Sequence, residues 1–269
     1  MILTTITPHR GRLSLLRNHL QSLAYQTRVP DEVLVVSHGD TAEDWEQIPQ
    51  LIEESFPWVG KRPTAAALRI GDPGDYWHKA LAINHGIRRS RADVDVICLF
   101  DVDMVLHPEH LEHLLQRQEG QAEITLCTNL SLAKTPHNER LFTVESFEAH
   151  RSRAQWIAPQ SPRNPLGPIS YGWGGCQAAP REWWFKIRGY DEDFRLFGPE
   201  DKDIIERAKA TDLPIEWMPP ELAMLHQYHA ALQLNPRMWK IVLRNYRMML
   251  ARRHHPTRNP TGWGGVSDE

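Results

Sequence analysis

The amino-acid sequence predicts an α/β fold, in which a mostly parallel β-sheet is flanked by helices in a single domain with a C-terminal helical extension. Three observations predict this class. The chain begins with the order strand, helix, strand; a later apolar run ends in two carboxylates; and 41% of its 269 residues are apolar. A strand–helix–strand order favours parallel pairing through a right-handed crossover, and this composition is typical of a globular chain that buries a core.

The first four elements follow from the apolar pattern. Residues 1–7 (MILTTIT) predict a short strand that Pro8 ends, and residues 12–26 predict a helix. The apolar side of that helix has helical spacing and comprises Leu13, Leu16, Leu20 and Leu23. Residues 31–40 (DEVLVVSHGD) predict a second buried strand with a polar end, and a helix is expected around residues 45–56.

The middle of the chain continues the alternation. Residues 65–70 (AAALRI) predict a third strand, and residues 75–90 predict a helix that stops near Gly86 or one turn later. Residues 93–103 (DVDVICLFDVD) predict the next strand, because adjacent apolar residues suit a strand that is covered on both faces. Residues 107–120 predict the helix that follows it.

The second half of the chain changes character twice. Residues 122–132 predict one more strand, whereas residues 150–175 are rich in Arg, Pro and Gly and predict a long loop. A helix is expected at 200–210 and a last one at 236–255. One face of this last helix carries the apolar side chains Met238, Ile241, Val242, Tyr246, Met249 and Leu250. The other face is basic, which predicts a surface helix packed on the core, or contact with an anionic membrane surface or an acidic partner.

Charge and cysteine content exclude several classes of function. The formal net charge of -3 argues against a nucleic-acid partner. The three cysteines, Cys98, Cys127 and Cys176, are too few for a disulfide scaffold and fit a reducing compartment. We find neither a signal-peptide pattern nor a run of the roughly 20 apolar residues that span a bilayer, so we expect a cytoplasmic protein, with peripheral contact at the inner face of the membrane as an alternative.

The triplet Asp101-Val102-Asp103 ends the strand predicted at 93–103. Because side chains alternate along a strand, we expect both carboxylates on the same side, at the carboxyl end of the strand where open α/β sheets bind ligands. Two like charges there require a positive partner, and a divalent cation is the simplest one. The alternative is an ordinary turn, in which Asp is common.

Three further groups of polar residues are each ambiguous by themselves. Glu200 and Asp201 begin a predicted helix, where they suit either the helix dipole or a general base at the mouth of a site. His226 and His229 are three residues apart, which suits metal binding as well as ordinary structural roles. Asn84, two residues before Gly86, suits the end of a helix.

Taken in order, these segments resemble the nucleotide-sugar glycosyltransferases of the GT-A fold, a Rossmann-like α/β fold, in the large family two group. The resemblance rests on TTITPHR, DEVLVVSHG, KALAINHGIRRSRADVDVICLFDVDMVLHP and GYDEDFRLFGPEDKDIIERA. The last block resembles the C-terminal half of β-1,4-galactosyltransferases and chondroitin polymerases, with their Gly-x-Glu-Asp motif. It implies a GT-A domain over residues 1–235, with a nucleotide-binding half at about 1–107 and an acceptor-binding half at about 108–235. Residues 236–269 would form a basic amphipathic helix and tail.

The resemblance also implies roles for individual residues. Asp201 would be the catalytic base. Asp103 and His226 would bind a divalent metal, Mn²⁺ or Mg²⁺, with Asp101 and His229 as alternative ligands. The residues that would bind donor or acceptor are Thr7, Arg10, Ser37, Lys79, Asn84, Asp101, Trp173, Gly174, Gly175 and Glu200. Of these, Glu200 would hold the acceptor sugar, and Trp173 with the two glycines would separate donor from acceptor.

Two departures from the family pattern concern the donor. The second strand of many members ends in an Asp that contacts uracil, but this chain has Ser37-His38-Gly39, with Asp40 just beyond. The usual Arg before Asn-x-Gly is Ile83, and Lys79, one helical turn earlier, is the residue that could replace its charge. The resemblance favours a UDP-sugar donor, with a GDP-sugar as the alternative.

The sequence therefore predicts a metal-dependent glycosyltransferase of the hexosyltransferase type that acts in polysaccharide biosynthesis. It would move a sugar from a nucleoside-diphosphate sugar to a hydroxyl of a carbohydrate or glycoconjugate, and a single base opposite the leaving group implies inversion. One alternative is a non-catalytic nucleotide-sugar or carbohydrate-binding protein on the same fold. A nucleotidyltransferase is the weaker alternative, because TPHRGRLS has one Gly where that class has a Gly-rich, Lys-containing loop.

Overall fold

A computed structural model describes most of the chain. The described residues are 1–56, 62–73, 75–132, 144–152, 155–156, 174–196, 198–230 and 235–265. Within these ranges the chain forms one seven-stranded sheet and one four-stranded sheet, with helices packed around them. This architecture confirms the α/β class with a mostly parallel sheet.

The first half of the chain builds most of the large sheet. Its strands are β1 (Leu3–His9), β2 (Glu32–His38), β3 (Thr64–Ile70) and β4 (Val96–Phe100). The helices between them are α1 (Leu13–Ala24), α2 (Ala42–Ser55) and α3 (Lys79–Arg89). β1 pairs in parallel with both β2 and β4, and β3 pairs in parallel with β2. Every residue of β1, β2 and β4 is buried. This burial explains the continuous apolar runs VLVV in β2 and VICLF in β4.

The second half of the chain completes the large sheet. The added strands are β6 (Ile124–Leu126), β9 (Cys176–Pro180) and β10 (Ile215–Trp217), and β9 runs antiparallel between β4 and β6. The full strand order is β10-β6-β9-β4-β1-β2-β3. The helices of this half are α4 (His110–Gly120), α5 (Val144–Arg151), α6 (Arg181–Ile187), α7 (Glu200–Ala210) and α8 (Pro236–Arg252).

The small sheet lies beyond the carboxyl end of β4. Its strands are β5 (Met104–Val105), β7 (Asn129–Ser131), β8 (Gln155–Trp156) and β11 (Met224–His226). In β11, His226 pairs with Met104 of β5 in antiparallel register. This pairing brings a distant histidine next to the residue that follows Asp103.

Four sequence predictions need correction at element ends. β1 continues through Pro8, which is tolerated because β4 pairs with β1 only as far as Ile6. The strand predicted at 122–132 is broken after Leu126, so that its two halves join different sheets. α3 begins at Lys79, four residues later than predicted, although its end at Arg89 lies one turn after Gly86 as expected. The predicted loop at 150–175 contains the end of α5 and β8. The rest of that loop lies outside the described residues, apart from its last two.

The last helix packs by a narrower face than its sequence predicted. In α8 the buried side chains are Val242, Asn245 and Met249. Leu250, which we placed on the core face, is 55% exposed. No helix in the described part of the chain is both long and apolar enough to cross a bilayer. Division into a domain of residues 1–235 and a tail stays a prediction.

Gly86 shows how closely α3 packs on the sheet. A Cβ atom at this position would lie 2.5 Å from Cγ2 of Ile6 and 3.1 Å from Cγ2 of Val36. We predict that Gly86→Ala lowers the free energy of unfolding by about 1–3 kcal/mol, because a packed interface must open to admit the methyl group. Denaturant unfolding measures the change.

Gly120→Ala is the matched control, since no atom lies within 4 Å of its Cβ position. It should leave stability unchanged or slightly higher. Equal losses in the two variants would show that α3 does not depend on this close approach.

Candidate active site

The Asp101-Val102-Asp103 triplet forms a turn rather than the end of a strand. β4 ends at Phe100, and the backbone N–H of Met104 donates to the carbonyl of Asp101 at 3.1 Å. The expectation that the strand continues through Asp103 is therefore wrong, and the alternative of a turn is confirmed. The turn directs them to different partners, which form two adjacent clusters.

The first group of partners, the Lys79 cluster, consists of Lys79, Asp101 and Asp201. Nζ of Lys79 lies 2.8 Å from Oδ1 of Asp101 and 3.2 Å from Oδ1 of Asp201. Lys79 is the first residue of α3, Asp101 follows β4, and Asp201 lies in the first turn of α7. One ammonium group thus joins three elements that are far apart in sequence.

The pKa values in this cluster show competition between burial and charge. Burial raises the pKa of Asp101 to about 6; Asp103 and Asp201 add to the rise, and Lys79 opposes it. Burial lowers the pKa of Lys79, but the two carboxylates outweigh burial and hold that pKa well above its ordinary value. Lys79 is therefore an ammonium at neutral pH, and it offsets the cost of the converging carboxylates.

Tyr190 and Gln177 contact Asp201, and Glu200 is its neighbour in α7. Burial raises the pKa of Glu200 to about 7, with the charge of Asp201 as the next cause. The Tyr190 hydroxyl donates to Oε1 of Gln177 at 2.6 Å and lies 3.4 Å from Oδ1 of Asp201. Nε2 of Gln177 donates to the carbonyl of Asp201 at 3.2 Å. These contacts fix the start of α7, so the Asp201 side chain is held in place.

Gly174 and Gly175 lie against the same cluster. A Cβ atom on Gly174 would lie 2.1 Å from Oδ2 of Asp201, and one on Gly175 would lie 2.6 Å from Nδ2 of Asn129. The carbonyl of Gly175 also accepts a hydrogen bond from the Asp101 N–H at 3.3 Å. Bare backbone therefore forms the wall beside Asp201, where any side chain would displace the carboxylate.

The second group of partners, the Asp103 cluster, consists of Asp103, His226, His229 and Arg12. Nε2 of His229 lies 3.1 Å from Oδ2 of Asp103, and Nε2 of His226 lies 3.8 Å from Oδ1. Nη1 of Arg12 donates to Oδ2 at 2.8 Å. Although burial raises the pKa of Asp103, the hydrogen bond from His229 and the charges of its neighbours hold that pKa below its ordinary value.

The Asp103 cluster fits a divalent cation. Ligand atoms of Asp103, His226 and His229 all lie within 4.8 Å of one another. Oδ1 of Asp103 is buried and makes no hydrogen bond in the described part of the chain. One carboxylate oxygen and two imidazole nitrogens are a donor set that Mn²⁺ and related metals accept. The sequence offered His229 only as an alternative ligand, but the structure brings both histidines to the carboxylate.

The end of β2 is occupied by an internal hydrogen-bond network. Ser37 donates to Oδ2 of Asp40 at 2.7 Å, and Nδ1 of His9 lies 2.7 Å from the same oxygen. The N–H of Gly11 donates to Oδ1 at 2.6 Å. Both oxygens of Asp40 thus already accept hydrogen bonds from the chain, and the Ser37 hydroxyl is directed to Asp40.

Thr7 and Arg10 lie near this network but outside the two clusters. The Thr7 side chain is buried, with its hydroxyl 2.9 Å from Nε2 of His19. Arg10 donates to the carbonyl of Asp75. The structure therefore places these two predicted donor-binding residues around the carboxyl end of β1, with the Thr7 side chain buried and Arg10 half-buried.

Asn84 needs correction as a substrate-binding residue. It lies inside α3, fully buried, and its amide nitrogen donates to the carbonyl of Tyr190 and to Oε1 of Glu192, each at 2.8 Å. Its amide oxygen accepts the N–H of Tyr190 at 2.6 Å. Asn84 therefore positions Tyr190 behind the Lys79 cluster and has no group left for a ligand. Trp173 lies outside the described residues.

Arg12 and Tyr190 are members of the site that the sequence reading missed. Arg12 reaches Asp103 only through the fold, because 91 residues separate them. Its position at the N-cap of α1, three residues after the end of β1, gives no local signal of this contact. Tyr190 was present in the GYDEDF segment that we used for the resemblance, but its hydroxyl contacts could not be read from the sequence.

Two family models match the sequence. A model described as "Glycosyl transferase family 2" matches residues 4–182, more than half of the chain. A second, described as "N-terminal domain of galactosyltransferase", matches residues 162–230. No curated protein sequence matches the chain significantly.

Among solved structures, the fold is similar to that of TarS from S. aureus. The structure of TarS 1-349 aligns with a TM-score of 0.61 at 15% identity over 93% of this chain and 65% of that chain. TarS 1-349 in complex with UDP-GlcNAc aligns with a TM-score of 0.62 at 14% identity, over 93% and 66%. The complex with UDP gives 0.59 at 15% identity, over 93% and 65%. At this identity the similarity shows the fold, and this chain spans only part of those relatives.

Glu200 supplies a prediction about pH. Because its pKa rises from 4.5 to about 7 on folding, the folded state holds the proton more tightly than the unfolded state. Its stabilising contribution is complete below about pH 4.5 and is lost as the pH rises through about 7. Glu200→Gln should remove up to about 3 kcal/mol of this pH dependence.

Thermal unfolding across that pH range measures the effect, with Glu182→Gln at an exposed position as the control. The Glu200→Gln curve should be flatter than the curves of the wild type and the control. Three parallel curves would mean that Glu200 is not held protonated.

Proposed function

Since the chain belongs to glycosyl transferase family 2, we propose that it transfers a sugar from a nucleoside-diphosphate sugar to a hydroxyl of a carbohydrate or glycoconjugate, with a divalent metal and with inversion. The observation that supports this most is the closeness of the two clusters. Asp103, whose cluster fits a metal, is two residues from Asp101 in the chain, and Asp101 and Asp201 both pair with Lys79. A site for the leaving diphosphate and a candidate base are thus adjacent.

Asp103, His226 and His229 would hold the metal, Mn²⁺ or Mg²⁺. When bound, the metal supplies Lewis-acid stabilisation of the negative charge that grows on the diphosphate leaving group. Arg12 donates a hydrogen bond to Oδ2 of Asp103. When a metal binds this oxygen, Arg12 would either keep that hydrogen bond beside the metal or lose it. In that case its guanidinium, which is always charged, could turn to a phosphate oxygen.

Asp201 would take the proton from the attacking hydroxyl. A base must lie within hydrogen-bond reach of the proton that it removes. The carboxylate of Asp201 is held in place by Lys79 and by its position at the start of α7. Attack from the side of Asp201, opposite the leaving group, would invert the anomeric carbon. The ammonium of Lys79, 3.2 Å from Oδ1 of Asp201, would balance the charge of that carboxylate.

The remaining residues would position the two substrates. Asp101 would contact the donor, together with Lys79. Glu200, next to Asp201 in α7, would hold the acceptor sugar. Gly174 and Gly175 would separate donor from acceptor, with the bare backbone of Gly174 directly against the Asp201 carboxylate.

For the donor we favour a UDP-sugar, with a GDP-sugar as the alternative. Two of the structurally similar proteins are complexes with UDP and with UDP-GlcNAc, although at 15% and 14% identity. Thr7, Arg10 and Ser37 lie around the end of the first two strands, where the base would sit. Polysaccharide biosynthesis and a cytoplasmic location complete the proposal.

Removal of either histidine tests the metal site. We predict that Mn²⁺ raises the melting temperature of the wild type in the presence of UDP. His226→Ala and His229→Ala should each weaken the apparent affinity for Mn²⁺ at least about tenfold, since each removes a ligand. His113→Ala, an exposed position on α4, is the control. If Mn²⁺ and Mg²⁺ stabilise neither the wild type nor the control with UDP or GDP, the metal site is wrong.

Asp201→Asn tests the catalytic base. The variant should bind UDP-GlcNAc and Mn²⁺ like the wild type but transfer or hydrolyse the donor about 10²–10⁴-fold more slowly. Asp93→Asn, at an exposed position away from the site, should retain full activity. A wild type that binds donor and metal but turns over no nucleotide sugar would indicate a non-catalytic binding protein. Unchanged turnover in Asp201→Asn would assign the base to another residue.

A further inference from the structure

Helix α8 presents a line of apolar side chains that the described part of the chain leaves exposed. Trp239, Leu243 and Leu250 are 52%, 51% and 55% exposed. Their spacing of four and seven residues places them along one side of the helix, which we call the α8 stripe. Each large exposed apolar side chain is unremarkable by itself, but three in line on one helix form a patch, and such patches mark interaction sites.

The helix is held so that this stripe faces outward. Val242 and Met249 are buried, and Nδ2 of the buried Asn245 donates to the carbonyl of Arg195 at 2.7 Å. Near its end, Arg252 pairs with Asp191 at 2.8 Å. These contacts occupy another side of the helix, so the α8 stripe is not needed to attach α8 to the fold.

Positive charge lies beside the α8 stripe. The helix contains no Asp or Glu, and its exposed cations are Arg237, Lys240, Arg244 and Arg247. In the described part of the chain, no carboxylate forms an ion pair with any of these four. The chain as a whole carries a net charge of -3, so this concentration of positive charge is local.

The same helix borders the acceptor side of the candidate active site. Burial and the charge of Glu200 raise the pKa of Tyr246, which places that side chain near Glu200. Nδ2 of Asn245 lies 3.2 Å from the position that a Cβ on Gly198 would occupy. The α8 stripe is therefore attached to the element that stands next to the start of α7.

We propose that α8 docks on the surface of an anionic lipid bilayer, with the α8 stripe in the headgroup region and the four cations on lipid phosphates. Trp and Leu beside Lys and Arg are the composition of helices that lie in the plane of a membrane interface. A second copy of this chain fits less well, because two α8 surfaces would bring like charges together. Docking would bring the acceptor side of the proposed active site close to the membrane surface.

Co-sedimentation of the full chain with vesicles tests the proposal. Binding should be strong to vesicles of phosphatidylcholine mixed with phosphatidylglycerol, weak to phosphatidylcholine alone, and reduced by salt. Lys240→Glu with Arg244→Glu should lower the affinity about tenfold or more, because each cation near an anionic surface contributes to attraction. Trp239→Ser with Leu243→Ser and Leu250→Ser should lower it by a similar factor.

The controls change equivalent groups elsewhere on the surface. Arg17→Glu with Arg89→Glu matches the charge change, and Tyr25→Ser replaces another exposed aromatic side chain. Neither should alter vesicle binding. Binding that does not depend on phosphatidylglycerol, or that survives both α8 variants, would overturn the proposal. So would concentration-dependent dimerisation that the α8 stripe variant abolishes, since a second copy would then cover the stripe.

Turnover of UDP-GlcNAc without vesicles separates this proposal from the proposed function. The α8 variants should keep wild-type turnover in solution, because the α8 stripe touches none of the proposed catalytic groups. A chain that binds anionic vesicles but turns over no nucleotide sugar would contradict the proposed function and leave the docking surface standing.

Discussion

The site depends on the two ion pairs that Lys79 forms with Asp101 and Asp201. Its ammonium lies 2.8 Å from Asp101 and 3.2 Å from Asp201, two carboxylates that would otherwise repel each other in a partly buried place. Removal of one partner from such a group leaves an uncompensated charge, which costs several kcal/mol. The ammonium also links the start of α3, the turn after β4 and the start of α7. Close packing supports it: Asn84 holds Tyr190, Tyr190 reaches Asp201, and Gly174 leaves space for that carboxylate.

The small sheet performs the complementary task for Asp103. His226 and His229 lie more than a hundred residues from Asp103 along the chain. The pairing of β11 with β5 fixes their position beside Asp103. The turn at 101–103 gives its two carboxylates different partners. One carboxylate faces a lysine and the proposed base, and the next faces two imidazoles and an arginine. A glycosyltransferase needs such a division, because the leaving group and the attacking hydroxyl require charge of opposite sign on opposite sides of the sugar.

Helix α8 connects this chemistry with the surface of the molecule. Its buried side is fixed by Asn245 and by the pairing of Arg252 with Asp191, and Tyr246 stands near Glu200. The side with Trp239, Leu243 and Leu250 is left to a partner. An enzyme whose acceptor side adjoins a membrane-docking helix would bind acceptors at the membrane surface. The positive charge of α8 would then serve to attract anionic lipid.

The sequence by itself determined the α/β class and the order of the helices and strands over the first 100 residues. Apolar runs and leucine spacing suffice for that, because burial and periodicity are local properties of the chain. It also proposed the residues that would bear the chemistry and drew attention to Asp101, Asp103, Asp201 and His226. Only the tertiary structure decided which groups meet. It broke the strand at 122–132 between two sheets, gave Asp101 and Asp103 different partners, buried Asn84 in contacts with Tyr190 and brought Arg12 to Asp103. These outcomes depend on contacts between residues distant in sequence, and no local pattern encodes the distance between two side chains that the fold brings together.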